Sequence, residues 1–371
     1  SAEISARAGC SIAVAQVGAR RDNPNCPTED VATTRDVFAV ADNPEIQILV
    51  ELIGGTTTAR ELVLRAINNG KHVVTANKAL IAQYGNEIFA AAQERGVSVA
   101  FEAAVAGGIP VIKAIREGLA ANRIEWLAGI INGTSNFILT EMREKQRSFA
   151  DVLKEAQALG YAEADPTFDV EGIDASHKLM ILASIAFGIP LQFNKVYTEG
   201  ITRIAPIDVE YAEQLGYRIK SLGIARRADK GIELRVHPTL IPEKRLISNV
   251  NGVMNAVLVK GDAAGPSLYY GPGAGSEPTA SAVIADIVDV ARTLSADPAH
   301  RVPYLAFQPN SLNDTPVLAI DDVVSSYYLR ISAHDKPGVL SRVAQILSDL
   351  GISIEALIQK EPAADQDHVP V

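Results

Sequence analysis

The sequence predicts an α/β protein in three parts: a doubly wound unit on a parallel sheet, a mixed α+β region, and a short terminal strand–helix–strand module. Three observations carry this. Up to residue 106, short β-branched runs alternate with amphipathic helical stretches, the pattern of parallel strands joined by helices. Past Gly107 strands and helices continue but no longer alternate strictly. Residues 301–324, poor in periodicity and holding Pro303, Pro309 and Pro316, then read as a linker ahead of a final amphipathic unit.

Taken in order, residues 11–18 and 46–53 read as strands and 57–69 as a helix with Gly70 just past its end. Residues 72–75 form a strand, 79–95 a helix closed by Gly96, and 97–101 another strand. In the second region 109–119 reads as a helix, 123–131 as a strand, and a helix opens at Asn132-Gly133-Thr134. Residues 172–188 are a long apolar helix; 219–225, 232–237 and 256–260 are strands; 277–295 is a helix after a glycine-rich turn. Beyond the linker, 327–331 and 352–357 read as strands flanking a helix at 339–350. The domains expected are therefore 1–106 (with 275–300 as its candidate completion), 107–300, and 325–371.

Length and composition bound the function. At ~150 residues per domain, 371 residues suggest two or three domains. The 47% hydrophobic and 21% charged content is that of a globular chain with ample core. A net charge of −10 with no dominant basic stripe argues against nucleic acid or an anionic membrane as partner. The longest apolar stretch, 179–191, is well short of the ~20 residues a membrane-spanning helix needs. Cys10 and Cys26 make no disulfide framework and no Cys-x-x-Cys pair, so a reducing, cytoplasmic setting is expected. The six histidines lack zinc-ligand spacing, and the first residues carry no signal-peptide pattern.

Several segments bear chemistry-prone residues. Glu51-Leu-Ile-Gly-Gly-Thr-Thr, at a strand's C-terminal end, suits close approach of a ligand to backbone, or is a tight strand-to-helix turn. His72-Val-Val-Thr-Ala-Asn-Lys78 ends in a cation that faces a phosphate, a carboxylate or water. No Gly-x-Gly-x-x-Gly loop precedes residue 11, so 11–18 reads as the second strand of a dinucleotide unit. Arg20 and Arg21 after it suit a ribose 2′-phosphate, or are two surface arginines. The densest constellation is Glu163, Asp165, Asp169, Asp174 and Lys178, leading into a helix that is apolar nearly all round. Asp174 and Lys178 stand at i and i+4 on one face. An exposed pair there would contribute ~0.3–0.5 kcal/mol, but a buried one costs desolvation and more often serves a site.

The run Gly-Tyr-Ala-Glu-Ala-Asp-Pro…Asp-Val-Glu-Gly-Ile-Asp-Ala-Ser-His-Lys from 160 to 178 resembles the homoserine dehydrogenase signature. Val-Thr-Ala-Asn-Lys at 74–78, Ile-Asn-Gly-Thr-Ser-Asn at 131–136 and Gly-Pro-Gly-Ala-Gly-Ser-Glu-Pro-Thr-Ala at 271–280 agree with it in order and spacing. Asp335-Lys-Pro-Gly-Val-Leu-Ser-Arg resembles the opening of an ACT regulatory domain, here a partial βαβ module. The resemblance implies a Rossmann-like nucleotide-binding domain, a substrate and dimerisation domain, and reversible reduction of L-aspartate 4-semialdehyde to L-homoserine with NADPH or NADH. Those compounds belong to threonine, methionine and isoleucine biosynthesis.

By match to the motifs, Lys178 is the catalytic residue and Asp174 orients it or holds a water. A lysine with its pKa lowered by desolvation suits the acid/base exchange. Glu163 matches the residue that receives the substrate ammonium, with Asp169 assisting, and Lys78 falls near the nicotinamide or the substrate carboxylate. Thr56 and Gly275 match cofactor contacts, beside Arg20 and Arg21. A monovalent cation site, Na⁺ or K⁺ in hard oxygen ligands, maps to Glu102, Val105, Gly107 and Ile109 and would be structural; Glu102 reads equally as a hinge residue capping the sheet. L-Threonine is the expected effector of the ACT module, and a homodimer or homotetramer the expected assembly. Two other readings are weaker. A dehydrogenase that oxidises the same aldehyde needs an activated cysteine in the substrate domain, and both cysteines lie near the start. An amino-acid-binding regulator would leave the 163–178 cluster idle.

Overall fold

A computed structural model of the chain describes residues 2–21, 23, 26, 28, 30–359 and 368–371. It opens with α1 (Ala2–Ala8), the parallel pair β1 (Gln16–Gly18) and β2 (Ala32–Thr34), and α2 (Val37–Asp42). There follow β3 (Ile48–Glu51), α3 (Thr57–Asn68), β4 (His72–Thr75), α4 (Lys78–Arg95) and β5 (Val99–Ala100). Strands β3, β4 and β5 form one parallel sheet with β4 central and wholly buried. Side chains alternate across that sheet: Val73 joins the core beneath α3 and α4, while Val74 faces the opposite side. Helix α4 starts because the Asn77 side chain accepts the Leu80 N–H at 3.1 Å, and it stops at Gly96, which takes φ +64°.

The second region comprises α5 (Val111–Lys113), β6 (Ile124–Ile130), α6 (Gly133–Lys145), α7 (Phe149–Ala158), α8 (Thr167–Val170) and α9 (Ile173–Phe187). It continues with β7 (Tyr197–Thr198), α10 (Pro206–Gln214), β8 (Tyr217–Ala228), β9 (Gly231–Pro242), β10 (Met254–Gly261), β11 (Gly265–Pro272) and α11 (Ser276–Arg292). The six strands order as β11-β10-β6-β8-β9-β7, antiparallel except for the β7–β9 pair. Helix α9, buried from Asp174 to Phe187, packs between this sheet and α4. Helix α11 returns to the first sheet: its Ala282, Val283 and Val290 cluster with Val74.

Three sequence expectations need correction. Residues 109–119 are not one α-helix: α5 is a single turn followed by a π-helical turn, Ala114–Gly118, with the Leu119 N–H reaching the Ala114 carbonyl at 2.8 Å. Residues 327–331 and 352–357 are not strands. The terminal module pairs β12 (Ser332–His334) antiparallel with β13 (His368–Pro370), with α12 (Val339–Asp349) between them in sequence. A strand needs a neighbour for its N–H and C=O groups, and the exposed 352–357 run has none among the described residues. Strand β11 has no counterpart in the sequence reading, because its prolines and glycines are poor strand formers that the edge position it takes tolerates.

Residues 301–324 do not hang free. Tyr304 donates its hydroxyl to the Val97 carbonyl at 2.5 Å, and the Asn313 amide donates to the Phe187 and Gly188 carbonyls at 3.0 and 2.9 Å. Val317 bridges to Ile232. Among the described residues no helix is long and apolar enough to cross a membrane.

Candidate active site

Two lysines from different parts of the chain meet on one carboxylate. Asp174, on the first turn of α9 and 3% exposed, accepts Lys178 Nζ at 2.7 Å on Oδ2 and faces Lys78 Nζ at 2.9 Å on Oδ1. Lys178 lies one turn further along α9, 9% exposed, and also donates to the Ile131 carbonyl at 2.7 Å. Lys78 reaches in from the first residue of α4, at the end of the other sheet's central strand. Sequence spacing placed Asp174 and Lys178 together, and only the packing of α4 on α9 adds Lys78.

Asn132, at the N-cap of α6, completes the cluster. Its Nδ2 donates to Asp169 Oδ1 at 2.7 Å and Asp174 Oδ2 at 2.9 Å, while its Oδ1 accepts the Ser135 N–H at 2.8 Å. The sequence signal for it was its place as a cap in Asn-Gly-Thr; its span between two carboxylates was not legible. Ser135 Oγ donates to the Asp169 carbonyl at 3.0 Å, tying the short α8 to α6. Burial would raise the Asp174 carboxyl, but the Lys178 and Lys78 charges and the Lys178 and Asn132 hydrogen bonds outweigh it and hold it well below the usual carboxylate range. At Asp169 burial wins, and Asp174 adds to it, so that carboxyl sits above its ordinary value despite the Asn132 bond.

His177, between these residues in sequence, points elsewhere. Its ring packs between Phe168 and Phe193, centroids 5.5 and 4.2 Å away, and neither nitrogen has a hydrogen-bond partner among the described residues. Burial pushes its pKa down to about 4, so it is neutral at pH 7. Phe168 also lies 5.8 Å from Lys78 Nζ, an aromatic wall that sequence reasoning missed.

Glu163 does not join the cluster. It is exposed in the 159–166 loop, where its backbone carbonyl accepts the Gln157 amide at 3.1 Å. The loop is held from behind by Thr134 Oγ1, which donates to the Tyr161 carbonyl at 2.6 Å.

On the nucleotide side, Glu51 is buried at the end of β3 and accepts the Ile53 and Gly54 N–H groups at 2.9 and 3.0 Å and the Thr75 hydroxyl at 2.6 Å. It thereby shapes the turn in which Gly54 and Gly55 take φ +71° and +70°, with open space where a Cβ would stand. Thr56 caps the start of α3 without a side-chain hydrogen bond. The Asn77 amide donates to the Gly55 carbonyl at 2.7 Å, linking this turn to Lys78. Gly275 precedes α11 at φ +121°. The turn before it admits no side chain: at Gly273 a Cβ would lie 1.9 Å from Asn255 Oδ1. Arg20 and Arg21 are exposed just after β1.

Glu102, 3% exposed, accepts the Ile112 and Lys113 N–H groups, both at 2.9 Å, and its own N–H donates to Asp286 at 2.8 Å. It therefore caps the start of the helical turn α5, and not the sheet as the hinge reading expects. Burial raises it to about 7, and Asp286 to about 6. Val105, Gly107 and Ile109 follow in a buried loop that turns at Ala106 (φ +56°) and Gly107 (φ +52°), where a Cβ on Gly107 would meet the Gly273 carbonyl at 2.6 Å. The Ile109 carbonyl accepts the Val111 N–H at 2.7 Å.

The family models for homoserine dehydrogenase, for its NAD binding domain and for the ACT domain match residues 110–288, 2–102 and 327–365. A homoserine dehydrogenase of Pseudomonas aeruginosa is 70% identical over 369 residues, spanning 100% of this chain and 85% of its own. The crystal structure of a homoserine dehydrogenase from Thiobacillus denitrificans superposes with a TM-score of 0.94 at 66% identity, covering 100% of this chain and 84% of that one. A hyperthermophilic archaeal homoserine dehydrogenase in complex with NADPH is 28% identical, with a TM-score of 0.61 over 71% of this chain and 76% of its own. Matched by these family models and this similar to homoserine dehydrogenases along its whole length, the chain belongs to the homoserine dehydrogenases, NAD(P)-dependent oxidoreductases.

Proposed function

We propose that this chain interconverts L-homoserine and L-aspartate 4-semialdehyde at the Lys178–Asp174–Lys78 cluster, with Lys178 exchanging the proton of the substrate oxygen. The observation that carries the reading is the hydrogen-bond inventory at Lys178. An ammonium has three N–H donors, and two are committed to Ile131 and Asp174. The third is available to an oxygen in the cleft. Asp174 holds both lysines in place, and Lys78 lies where it can face the substrate carboxylate or the nicotinamide. NADP, when bound, supplies the hydride acceptor for the alcohol carbon. The glycine turn at 54–55 and the tight approach around Gly273 and Gly275 fit a cofactor laid against backbone. The deciding experiment is homoserine-dependent reduction of NADP⁺, followed by absorbance, with Lys178→Ala as control. No turnover in folded wild-type protein would end the reading.

In this reading Glu163, on the exposed 159–166 loop, receives the substrate ammonium, with Asp169 assisting. Glu163→Ala should raise the KM for homoserine about tenfold or more while leaving the KM for NADP⁺ nearly unchanged, since a charge-assisted bond contributes ~1.5–3 kcal/mol. Steady-state kinetics with each substrate varied decides it, and an unchanged homoserine KM removes Glu163 from the role.

Arg20 and Arg21 favour NADP over NAD through the 2′-phosphate. The double variant Arg20→Glu/Arg21→Glu should weaken NADP⁺ by tenfold or more through lost attraction and added repulsion, and leave NAD⁺ kinetics near their original values. Equal loss with both cofactors would argue against phosphate recognition.

Four further assignments rest on the same reading. Glu102, Val105, Gly107 and Ile109 offer a buried carboxylate and carbonyl oxygens, a hard donor set that fits a structural Na⁺ or K⁺. L-Threonine fits the terminal module as effector, in an open cleft of about 440 Å³ bordered by His334, Asp335, Lys336 and Gln359. A homodimer, or a homotetramer of dimers, would cover the sheet side chains Leu258 and Leu268, Tyr270 and Ile224, which are left partly or largely exposed. The unpaired, exposed Cys10 and Cys26 suit a cytoplasmic setting, where the enzyme would serve threonine, methionine and isoleucine synthesis.

A further inference from the structure

We infer that Lys220 is a positioning residue for this reaction: through Asn136 and the first turn of α6 it holds the Asn132 amide between Asp174 and Asp169. Lys220, in the middle of β8, is 1% exposed and, among the described residues, pairs with no carboxylate. Its three donors go to neutral oxygens: Asn136 Oδ1 at 3.1 Å, Asn251 Oδ1 at 3.2 Å and the Val250 carbonyl. The charged groups facing it are Arg143 and Glu144 from α6 and Arg218 from its own strand. A buried ammonium held only by neutral oxygens is expensive to desolvate, and a methionine would fill the same space at lower cost.

What the ammonium organises is one end of a helix. Asn136, whose Oδ1 it grips, donates Nδ2 to the Val250, Gly252 and Met254 carbonyls at 3.1, 2.9 and 3.2 Å. The 250–254 loop is thereby clamped onto the start of α6. At Gly133 the fit is so close that a Cβ would lie 2.8 Å from the Val253 carbonyl. Asn132 stands one turn before Asn136, and the Asn136 N–H donates to its carbonyl at 3.2 Å. Clamping one asparagine therefore fixes the other, whose amide spans both carboxylates of the site. Lys220 touches neither substrate nor cofactor in this arrangement and acts only by holding Asn132 in register.

The proposal rests on the function assigned above, and a double-mutant cycle tests it in the full-length chain. Lys220→Met, Asn132→Ala and their combination are compared for kcat, for KM toward homoserine and NADP⁺, and for melting temperature, with assays run below each variant's transition. Lys220→Met is expected to lower kcat roughly 10–100-fold, as a small misplacement of site groups does, with the NADP⁺ KM unchanged. The combination should be no slower than Asn132→Ala alone to within about twofold, because both changes break one linkage. Losses that multiply, or a Lys220→Met enzyme that melts earlier but keeps its kcat, would overturn the proposal. If Lys220→Met does not fold, Lys220→Gln, which keeps an amide donor, enters the cycle under the same criteria. A wild-type chain inactive on homoserine would overturn both readings, whereas an active one with multiplying losses overturns this one alone.

Discussion

Lys178→Ala should lower kcat for homoserine oxidation about 10²–10⁴-fold, the range a positioned proton-transfer group contributes. The fold should survive, because the carboxylate left behind is not orphaned. Asp174 keeps Lys78 at 2.9 Å and the Asn132 amide at 2.9 Å. The Ile131 carbonyl loses its Lys178 donor and stands where a water can replace the deleted ammonium. Far-ultraviolet circular dichroism and a melting curve would verify the fold, and single-turnover rates with saturating homoserine and NADP⁺ would isolate the chemical step. If the variant loses only affinity for homoserine, with kcat retained, Lys178 binds substrate and the proton goes elsewhere. Lys178→Arg should not rescue, since the guanidinium cannot give up its proton near neutral pH.

Asp174→Asn should be nearly as damaging to turnover, and it should cost stability as well. The carboxylate is the shared partner of two lysines, one of them buried, and removing one member of a buried pair typically costs roughly 3–5 kcal/mol. The asparagine keeps the size but leaves two ammonium groups facing each other without their counter-charge. Because folding lowers the Asp174 pKa, its contribution is fully present above the unfolded value of about 4 and is lost as pH falls through the lower, folded value. The stability gap between wild type and Asp174→Asn, measured by urea unfolding, should therefore hold constant from pH 7 to about 5 and narrow only below about 4. A gap that narrows instead between pH 5 and 7 would mean that the Asp174 carboxyl is not held below its ordinary range, since groups common to both proteins cancel from the difference.

Local chemistry made much of the architecture readable. Helix α9 announced itself by an apolar run between Gly172 and Gly188, and those glycines do cap it at φ +80° and +66°. Strand β4 has the bounds expected for it, 72–75, around its Val-Val-Thr run. The edges of the reading failed where partners decide. Strand β1 covers only the last three residues of 11–18, because β2 offers three residues to pair with. Helices α7 and α10 went unread although α7 carries a Ser148–Asp151 capping pair, and β11 was hidden by its prolines. Residues 301–324 look like a linker in composition, yet Tyr304 and Asn313 anchor them to both neighbouring units.

The sequence by itself determined the family, the doubly wound unit, the buried Asp174–Lys178 pair and the glycines that let backbone approach backbone. Each of these shows as a pattern along the chain, a run, a spacing or a motif, even where the contact it serves is distant. Only the tertiary structure decided that Lys78 is the second cation on Asp174, that Asn132 bridges two carboxylates, that Glu163 stands apart from the cluster, and that Lys220 is buried and bonded to Asn136. Those partners are separated by tens of residues along the chain. The packing of α4 on α9, and of α6 on α8 and β8, brings Lys78, Asn132 and Lys220 to their partners, and no local periodicity encodes which side chains will meet there.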